Sequence, residues 1–211
     1  MLAPVLDGVP LVEYVYKRSS ASKEAEIIAV ITSDDGSDDG LYAYCVKRGI
    51  KAFRGSLDNV LDRYIKAAEF FKAGVVCRVC GDSPFVDTGL IDKMFNIQAD
   101  EGLDYVAPDK NTCIAGLDSE VITLSALRRS SEGASEAESE HVTLFLKNNN
   151  GKFKTKFVDA KMRPLEISDI SLTVDNPEDI KLCNKIAAAL GPVYDFKSRD
   201  IFDLLLKEKK C

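Results

Sequence analysis

Short apolar runs rich in β-branched residues alternate along this chain with amphipathic stretches of helical period, and that alternation constrains the fold more than any other feature. "EIIAVITS" (residues 26–33) has strand length and ends in the polar turn "DDGSDD", "VVCRVC" (75–80) ends in "GDSP", and "ISLTVD" (170–175) runs into "NPED". "IKAFRG" and "DYVAP" read as further strands. Between them the pattern predicts helices over 38–48, closed by Gly49, over 58–72, ended by Gly74, over 88–99 and over 177–190. The second of these puts Val60, Leu61, Tyr64, Ala68 and Phe71 on one face. The opening "MLAPVLDGVPLVEYVYKR" reads as a loop running into an amphipathic helix, with Pro10 near its first turn and Leu11, Tyr14, Val15 and Arg18 at helical spacing. Repeated strand–helix–strand units imply an α/β fold with a mainly parallel sheet covered on both faces.

Residues 111–161 break the rhythm. They hold the strand-like "SEVITL" and "KFKTKFVDA", a helix at "SEHVTLFLKNN", and "RRSSEGASEAESE", whose polarity suits a mobile loop or a solvated linker. This stretch reads as an antiparallel addition within one domain spanning 1–211. A chain of 211 residues with 45% hydrophobic content supports one well-buried core.

Charge and cysteines narrow the partners. With 34 acidic against 28 basic residues and a net charge of -6, and with Lys and Arg scattered, the chain offers no footprint for nucleic acid. No apolar run approaches the roughly 20 residues that cross a bilayer, and the N-terminus lacks the pattern of a signal peptide, so a cytoplasmic protein is expected. Six cysteines in a chain with an ample core are expected to be reduced thiols. Strand alternation sends Cys77 and Cys80 to opposite faces, and His141 is the single histidine, so neither zinc nor redox chemistry is indicated.

In parallel sheets, ligands bind beyond the carboxyl ends of the strands, where loops and helix N-termini converge. In "VDNPED", Asn176 suits a helix cap, Pro177 its first position, and Glu178 and Asp179 the positive end of the helix dipole, which leaves Asp175 over. In "GDSP", Ser83 and Pro84 suit a turn or helix start, and Asp82 is the surplus acid. Two carboxylates at neighbouring strand ends suit a shared Mg²⁺ that also binds phosphate oxygens, which points to a nucleoside triphosphate. Two solvated turn aspartates are the plainer alternative.

Five motifs in order, "FRGSLDNVLDRY", "RVCGDSPFVD", "GLDSEV", "SEHVT" and "LTVDNPED", resemble the cytidylyltransferases that make CMP-activated acidic sugars. The resemblance is strongest to the branch of spore coat polysaccharide biosynthesis protein F, and extends to acylneuraminate cytidylyltransferase-like proteins. It implies a Rossmann-like three-layer α/β/α nucleotidyltransferase fold. It also implies attack by a sugar hydroxyl on the α-phosphate of CTP, with release of pyrophosphate, Mg²⁺ as cofactor, and a homodimer. Asp82 and Asp175 match the family's metal-holding acids, with Gly81 beside Asp82 on the nucleotide. Arg54, Gly55 and Ser56 match a segment near the pyrimidine, where a guanidinium fork suits the O2 and N3 acceptors of cytosine. Ser33 and Asp34 end a strand on the nucleotide side, and Asp62 with Arg63 is either an ion pair supporting the helix or a ligand contact.

Asp118 and Glu120 match a segment facing the acceptor sugar, where acids suit sugar hydroxyls, or a solvated strand face. His141 matches a family histidine that serves the sugar or the structure, and Ser139 stands where the family usually has arginine.

Members of this family also carry an initial buried strand and a loop of glycine, serine, threonine, two arginines and a final Gly-Lys that cradles the triphosphate. The match in this chain starts where that loop ends. Two consequences are expected. The sheet either exposes two unpaired edges or closes around a gap, and the acidic site repels CTP, so synthetase activity is weak or absent. The alternatives are a non-catalytic binding or assembly relative and a metal-dependent glycosyltransferase of similar fold.

Overall fold

The computed structural model describes residues 1–2, 4–5 and 8–209. A small antiparallel hairpin, β1 (Pro4–Val5) and β2 (Val9–Pro10), leads into helix α1 (Leu11–Ser19), for which Pro10 stands at the N-cap. Leu11, Val12, Tyr14, Val15 and Arg18 are buried, as the helical spacing predicts. Arg18 is wholly buried, with two of its three guanidinium nitrogens hydrogen-bonded and Nη2 buried without a partner among the described residues. Its Nε donates to the Val86 carbonyl at 2.9 Å, its Nη1 donates to the Tyr194 carbonyl at 2.7 Å, and the guanidinium lies 3.9 Å from the centre of the Phe196 ring.

Strands and helices then alternate. β3 (Val30–Ser33) pairs in parallel with β4 (Ala52–Gly55), and α2 (Asp39–Lys47) connects them, with Gly49 just beyond it at φ 68°. α3 (Val60–Phe70) starts beside the end of β4, where Arg63 packs on Gly55, and leads to β5 (Val75–Arg78). The left-handed position after α3 is taken by Lys72, at φ 57°, and not by Gly74. α4 (Thr88–Glu101) ends on Gly102 at φ 60° and precedes β6 (Tyr105–Pro108).

β7 (Glu120–Thr123) runs antiparallel to both β5 and β6, while β8 (Thr155–Val158) runs parallel to β6. The stretch 111–161 therefore contributes one antiparallel strand to the sheet and one parallel one. Its serine- and glutamate-rich segment is helical: α5 (Leu124–Ser131), then α6 (Glu136–Glu140), where Ser135 and Glu138 form a capping box. The helix expected at "SEHVTLFLKNN" breaks at His141, and α7 (Leu144–Asn148) starts afresh. α8 (Pro177–Leu190) has the capping box of Asn176 and Asp179 and Pro at its start, and α9 (Ser198–Lys209) closes the core with Ile201, Phe202 and Leu205.

"ISLTVD" is no strand. It runs as a thread between two loops, Leu172 donating to the Ala115 carbonyl and Val174 to the Asp82 carbonyl, each at 2.9 Å. Strand alternation sorts the core into two layers on either side of the sheet. Val106 and Val121 join α1, α4, α8 and α9 on one side, and Tyr105, Ala107 and Ile122 join α3, α5 and α7 on the other. The α/β three-layer expectation holds, with one difference: among the described residues β3–β4 and β5–β7–β6–β8 are separate sheets. The strand expected over 26–33 forms only at 30–33, where β4 supplies partners.

Candidate nucleotide and metal site

The ends of β3, β4 and β5, together with the start of the antiparallel β7, meet on one side of the molecule. Arg78 at the end of β5 stands opposite Glu120 at the start of β7, and the chain then turns through Val79, Cys80 and Gly81 to Asp82. The Val174–Asp82 bond brings the residue preceding Asp175 against the loop of Asp82. Gly116 closes the approach from the other side. At φ 90° it lies so near the thread that a Cβ there would sit 2.5 Å from the Leu172 carbonyl carbon. The loops bearing Asp82, Asp118 and Asp175 are thus tied through one segment.

Asp82 is half-buried and Asp175 exposed. Asp82 Oδ1 accepts from the Ser83 hydroxyl at 2.9 Å, and Asp175 Oδ2 accepts from the Thr173 hydroxyl at 2.7 Å. Among the described residues neither acid is in a salt bridge, and no group of three or more His, Cys, Asp or Glu side chains is placed to hold a metal. Two oxygen donors without a protein cation suit a hard divalent ion that completes its shell with water and phosphate.

The β3 end is organised by Asp38. Its Oδ2 accepts from the Thr32 hydroxyl at 2.6 Å, the Ser33 amide at 2.9 Å and the Ser33 hydroxyl at 2.6 Å. Those bonds, the Ser33 hydroxyl first, hold the Asp38 carboxyl below the usual carboxylate range. Asp34 is exposed, and its amide donates to the Gly55 carbonyl. Ser56 Oγ accepts from the Asn59 amide at 3.0 Å, in the turn that starts α3.

Arg54, expected near the pyrimidine, is held by protein groups. All three guanidinium nitrogens are engaged: Nε with the Ser33 carbonyl, Nη2 with the Asp35 carbonyl and Nη1 with Asp39 at 2.7 Å. In this structure it ties the β3 loop to β4. Asp62 pairs with Lys66 and not with Arg63, whose Nη1 donates to the Ser56 carbonyl.

Asp118 is exposed and its Oδ1 accepts from the Gly116 amide at 3.0 Å, while His141 is exposed at the end of α6. Glu120 is 7% exposed, and its oxygens are taken up by Arg78, the Tyr105 and Thr143 hydroxyls and Lys147. Burial pushes its carboxyl up, but Lys147 and Arg78 outweigh burial and hold it below its ordinary value. Burial also pushes up the Cys80 thiol; Arg78 opposes the shift, and Asp82, Asp118 and Glu120 reinforce it. One thiol thus lies within electrostatic reach of three acids. Cys45, Cys77, Cys80, Cys113 and Cys183 are free thiols. Sequence reasoning passed over Arg78 and Lys147; the one signal was a lone charge inside the apolar run "VVCRVC".

A family model for cytidylyltransferase matches residues 4–201. The chain belongs to the cytidylyltransferase family. It is 32% identical over 201 residues to the spore coat polysaccharide biosynthesis protein SpsF of Bacillus subtilis, covering 92% of this chain and 81% of that one. A cytidylyltransferase structure from Leptospira borgpetersenii superposes with a TM-score of 0.89 at 24% identity, over 99% of this chain and 88% of the other. A CMP:2-keto-3-deoxy-manno-octonic acid synthetase complexed with CTP superposes at 0.62 and 16% identity, over 90% and 92%. These likenesses establish a nucleotidyltransferase fold. Among the described residues no helix is long and apolar enough to cross a membrane.

Proposed function

We propose that this cytidylyltransferase relative transfers CMP from CTP to an acidic sugar in the synthesis of a cell-surface polysaccharide. The observation that carries this reading is the Val174–Asp82 bond, which ties the loops of Asp82 and Asp175 together beyond the end of β5. The two acids would hold Mg²⁺, which would neutralise phosphate charge in the bound nucleotide. Ser33, Asp34, Gly55, Ser56 and Gly81 would line the nucleotide, with Arg54 holding the shape of the Ser33–Asp35 turn.

In the reaction a hydroxyl oxygen of the sugar attacks the α-phosphorus, the bond to the β-phosphate oxygen breaks, pyrophosphate leaves and the hydroxyl proton is lost. No protein nucleophile is required; orientation and charge neutralisation supply the catalysis. Asp118 and His141, both exposed, would meet the sugar hydroxyls. Glu120 would act there through Arg78 and Lys147, whose positive charges suit the sugar's carboxylate. The similarity to a polysaccharide biosynthesis protein and to a synthetase for an acidic sugar supports this substrate class. With two acids that no protein cation pairs among the described residues, turnover by these residues alone is expected to be weak. Association as a homodimer in the cytoplasm belongs to the same proposal.

Pyrophosphate release from CTP with Mg²⁺, measured across 2-keto-3-deoxy acids, uronic acids and neutral hexoses, tests the reading. Release with an acidic sugar and CTP supports it. A preference for UTP or GTP, or for neutral sugars, overturns it. If no pyrophosphate is released and calorimetry detects no binding of Mg²⁺-CTP, a non-catalytic role replaces it.

A further inference from the structure

A cleft of about 680 Å³ opens where the starts of α4 and α9 meet the turn at 160–164 and the turn that follows α1. None of the residues assigned above to the nucleotide, the metal or the sugar lines it. The Ser198 hydroxyl donates to Asp87 Oδ2 and joins the two helix starts. Leu90, Met162, Phe196, Phe202 and Leu206 supply an apolar wall, and the volume falls within the range of small-molecule pockets.

The charges around this wall are unevenly matched. Lys23, Lys93, Lys161, Lys197 and Arg199 line the cleft, all of them exposed, in a chain whose net charge is -6. Among the described residues none of the five is in a salt bridge, and the one side-chain hydrogen bond they make runs from Lys93 to the Asp159 carbonyl at 3.2 Å. The acids of the lining are largely committed elsewhere. Asp87 also accepts from the Leu90 amide, Asp92 accepts from the Ser22 hydroxyl and the Lys23 and Glu24 amides, and Asp195 lies within electrostatic reach of the buried Arg18. Of the lining acids, that leaves Asp203.

Two independent observations favour negative charge in the cleft. Lys197 and Arg199 flank the first residue of α9, at the positive end of its dipole, where cations cost stability. The helix start does not need them, because Asp200 Oδ2 already accepts from the Lys197 amide. Behind the Phe196 ring, 3.9 Å from its centre, the wholly buried Arg18 has no salt bridge among the described residues, and its Nη2 has no hydrogen-bond partner. A buried cation without a counter-ion is costly, and an anion on the other side of the ring would offset part of that cost.

We propose that this cleft binds a small amphipathic anion, a phosphate or carboxylate carried on an apolar alkyl or aryl body. The cations of the rim take the head group and the wall of Phe196 and Phe202 takes the body. A neutral apolar ligand would desolvate the cations without pairing them, and a bare anion would leave the wall wet. This inference does not depend on which nucleotide or sugar the other site takes.

Calorimetric titration with octyl phosphate and octanoate, each below its micellar concentration, tests the proposal, with octylamine and inorganic phosphate as controls. One equivalent of either anion is expected to bind, at least tenfold more tightly than both controls, with amide shifts in 87–93 and 197–203 followed by nuclear magnetic resonance. The tighter of the two anions assigns the head group. Lys161→Glu combined with Lys197→Glu is expected to weaken binding at least tenfold, and because both side chains are exposed the melting temperature should stay near that of the parent. No binding of either anion, equal binding of octylamine or of inorganic phosphate, or full affinity in the double variant overturns the proposal. Displacement of the bound anion by Mg²⁺-CTP assigns it to the nucleotide site and overturns the proposal as well.

Discussion

The amide of Val174 donates to the carbonyl of Asp82 across 2.9 Å, tying together two loops that are more than ninety positions apart in the sequence. The thread 171–175 has no strand pairing of its own, so its position depends on this bond, on the Leu172–Ala115 bond and on contact with Gly116. The loops of Asp82 and Asp175, far apart in the chain, are tied together through a few backbone contacts.

Gly116 is the most sensitive point of that arrangement. Gly116→Ala places a methyl group against the Leu172–Thr173 backbone at a φ of 90°, and the expected cost is about 1–3 kcal/mol of stability. Urea denaturation measures it, and a variant as stable as the parent contradicts the close approach.

Glu120 is expected to matter for stability as well as for sugar binding. Glu120→Ala leaves Tyr105 and Thr143 hydroxyls and two cations without their shared acceptor, and the expected loss is about 3 kcal/mol. Glu120→Gln keeps the shape and loses less. Equal unfolding midpoints for Glu120→Ala and the parent contradict the network.

Glu13 gives the fold a pH dependence. This buried carboxylate on α1 accepts from Arg48 and Tyr44 of the α2 region, and these bonds, Arg48 first, with a further one from Lys17, lower its pKa to about 2. A depressed carboxyl stabilises the fold above its unfolded pKa near 4.5, and that stabilisation is lost as pH falls toward 2. Glu13→Gln is expected to destabilise by about 1–2 kcal/mol at pH 7, Arg48 being half exposed, and the difference from the parent should vanish between pH 4.5 and 2. A difference independent of pH contradicts the assignment.

The helices were legible because their caps are local chemistry: Asn176, Pro177 and Asp179 specify the start of α8 within four residues. The surplus of Asp82 and Asp175 was legible for the same reason, once the capping residues were accounted for. The thread at 171–175 was not, since "ISLT" has the composition of a strand and only the neighbouring loops decide that it pairs with none. The bonds of Arg54 to the backbone carbonyls of Ser33 and Asp35 were not legible, since no side-chain pattern encodes a carbonyl partner. The break at His141 was hidden inside a helical pattern, and the glutamate-rich segment looked like a loop although Ser135 and Glu138 form a capping box there.

The central claim is that Asp82 and Asp175 share one divalent cation with the nucleotide. Mn²⁺ binding in the presence of CTP, followed by electron paramagnetic resonance, tests it on the parent, Asp82→Asn and Asp175→Asn. The account predicts one Mn²⁺ per parent chain and at least a tenfold loss of affinity in each variant, with melting temperatures nearly unchanged because among the described residues each carboxylate accepts only from a neighbouring hydroxyl. Undiminished Mn²⁺ binding in both variants would contradict it.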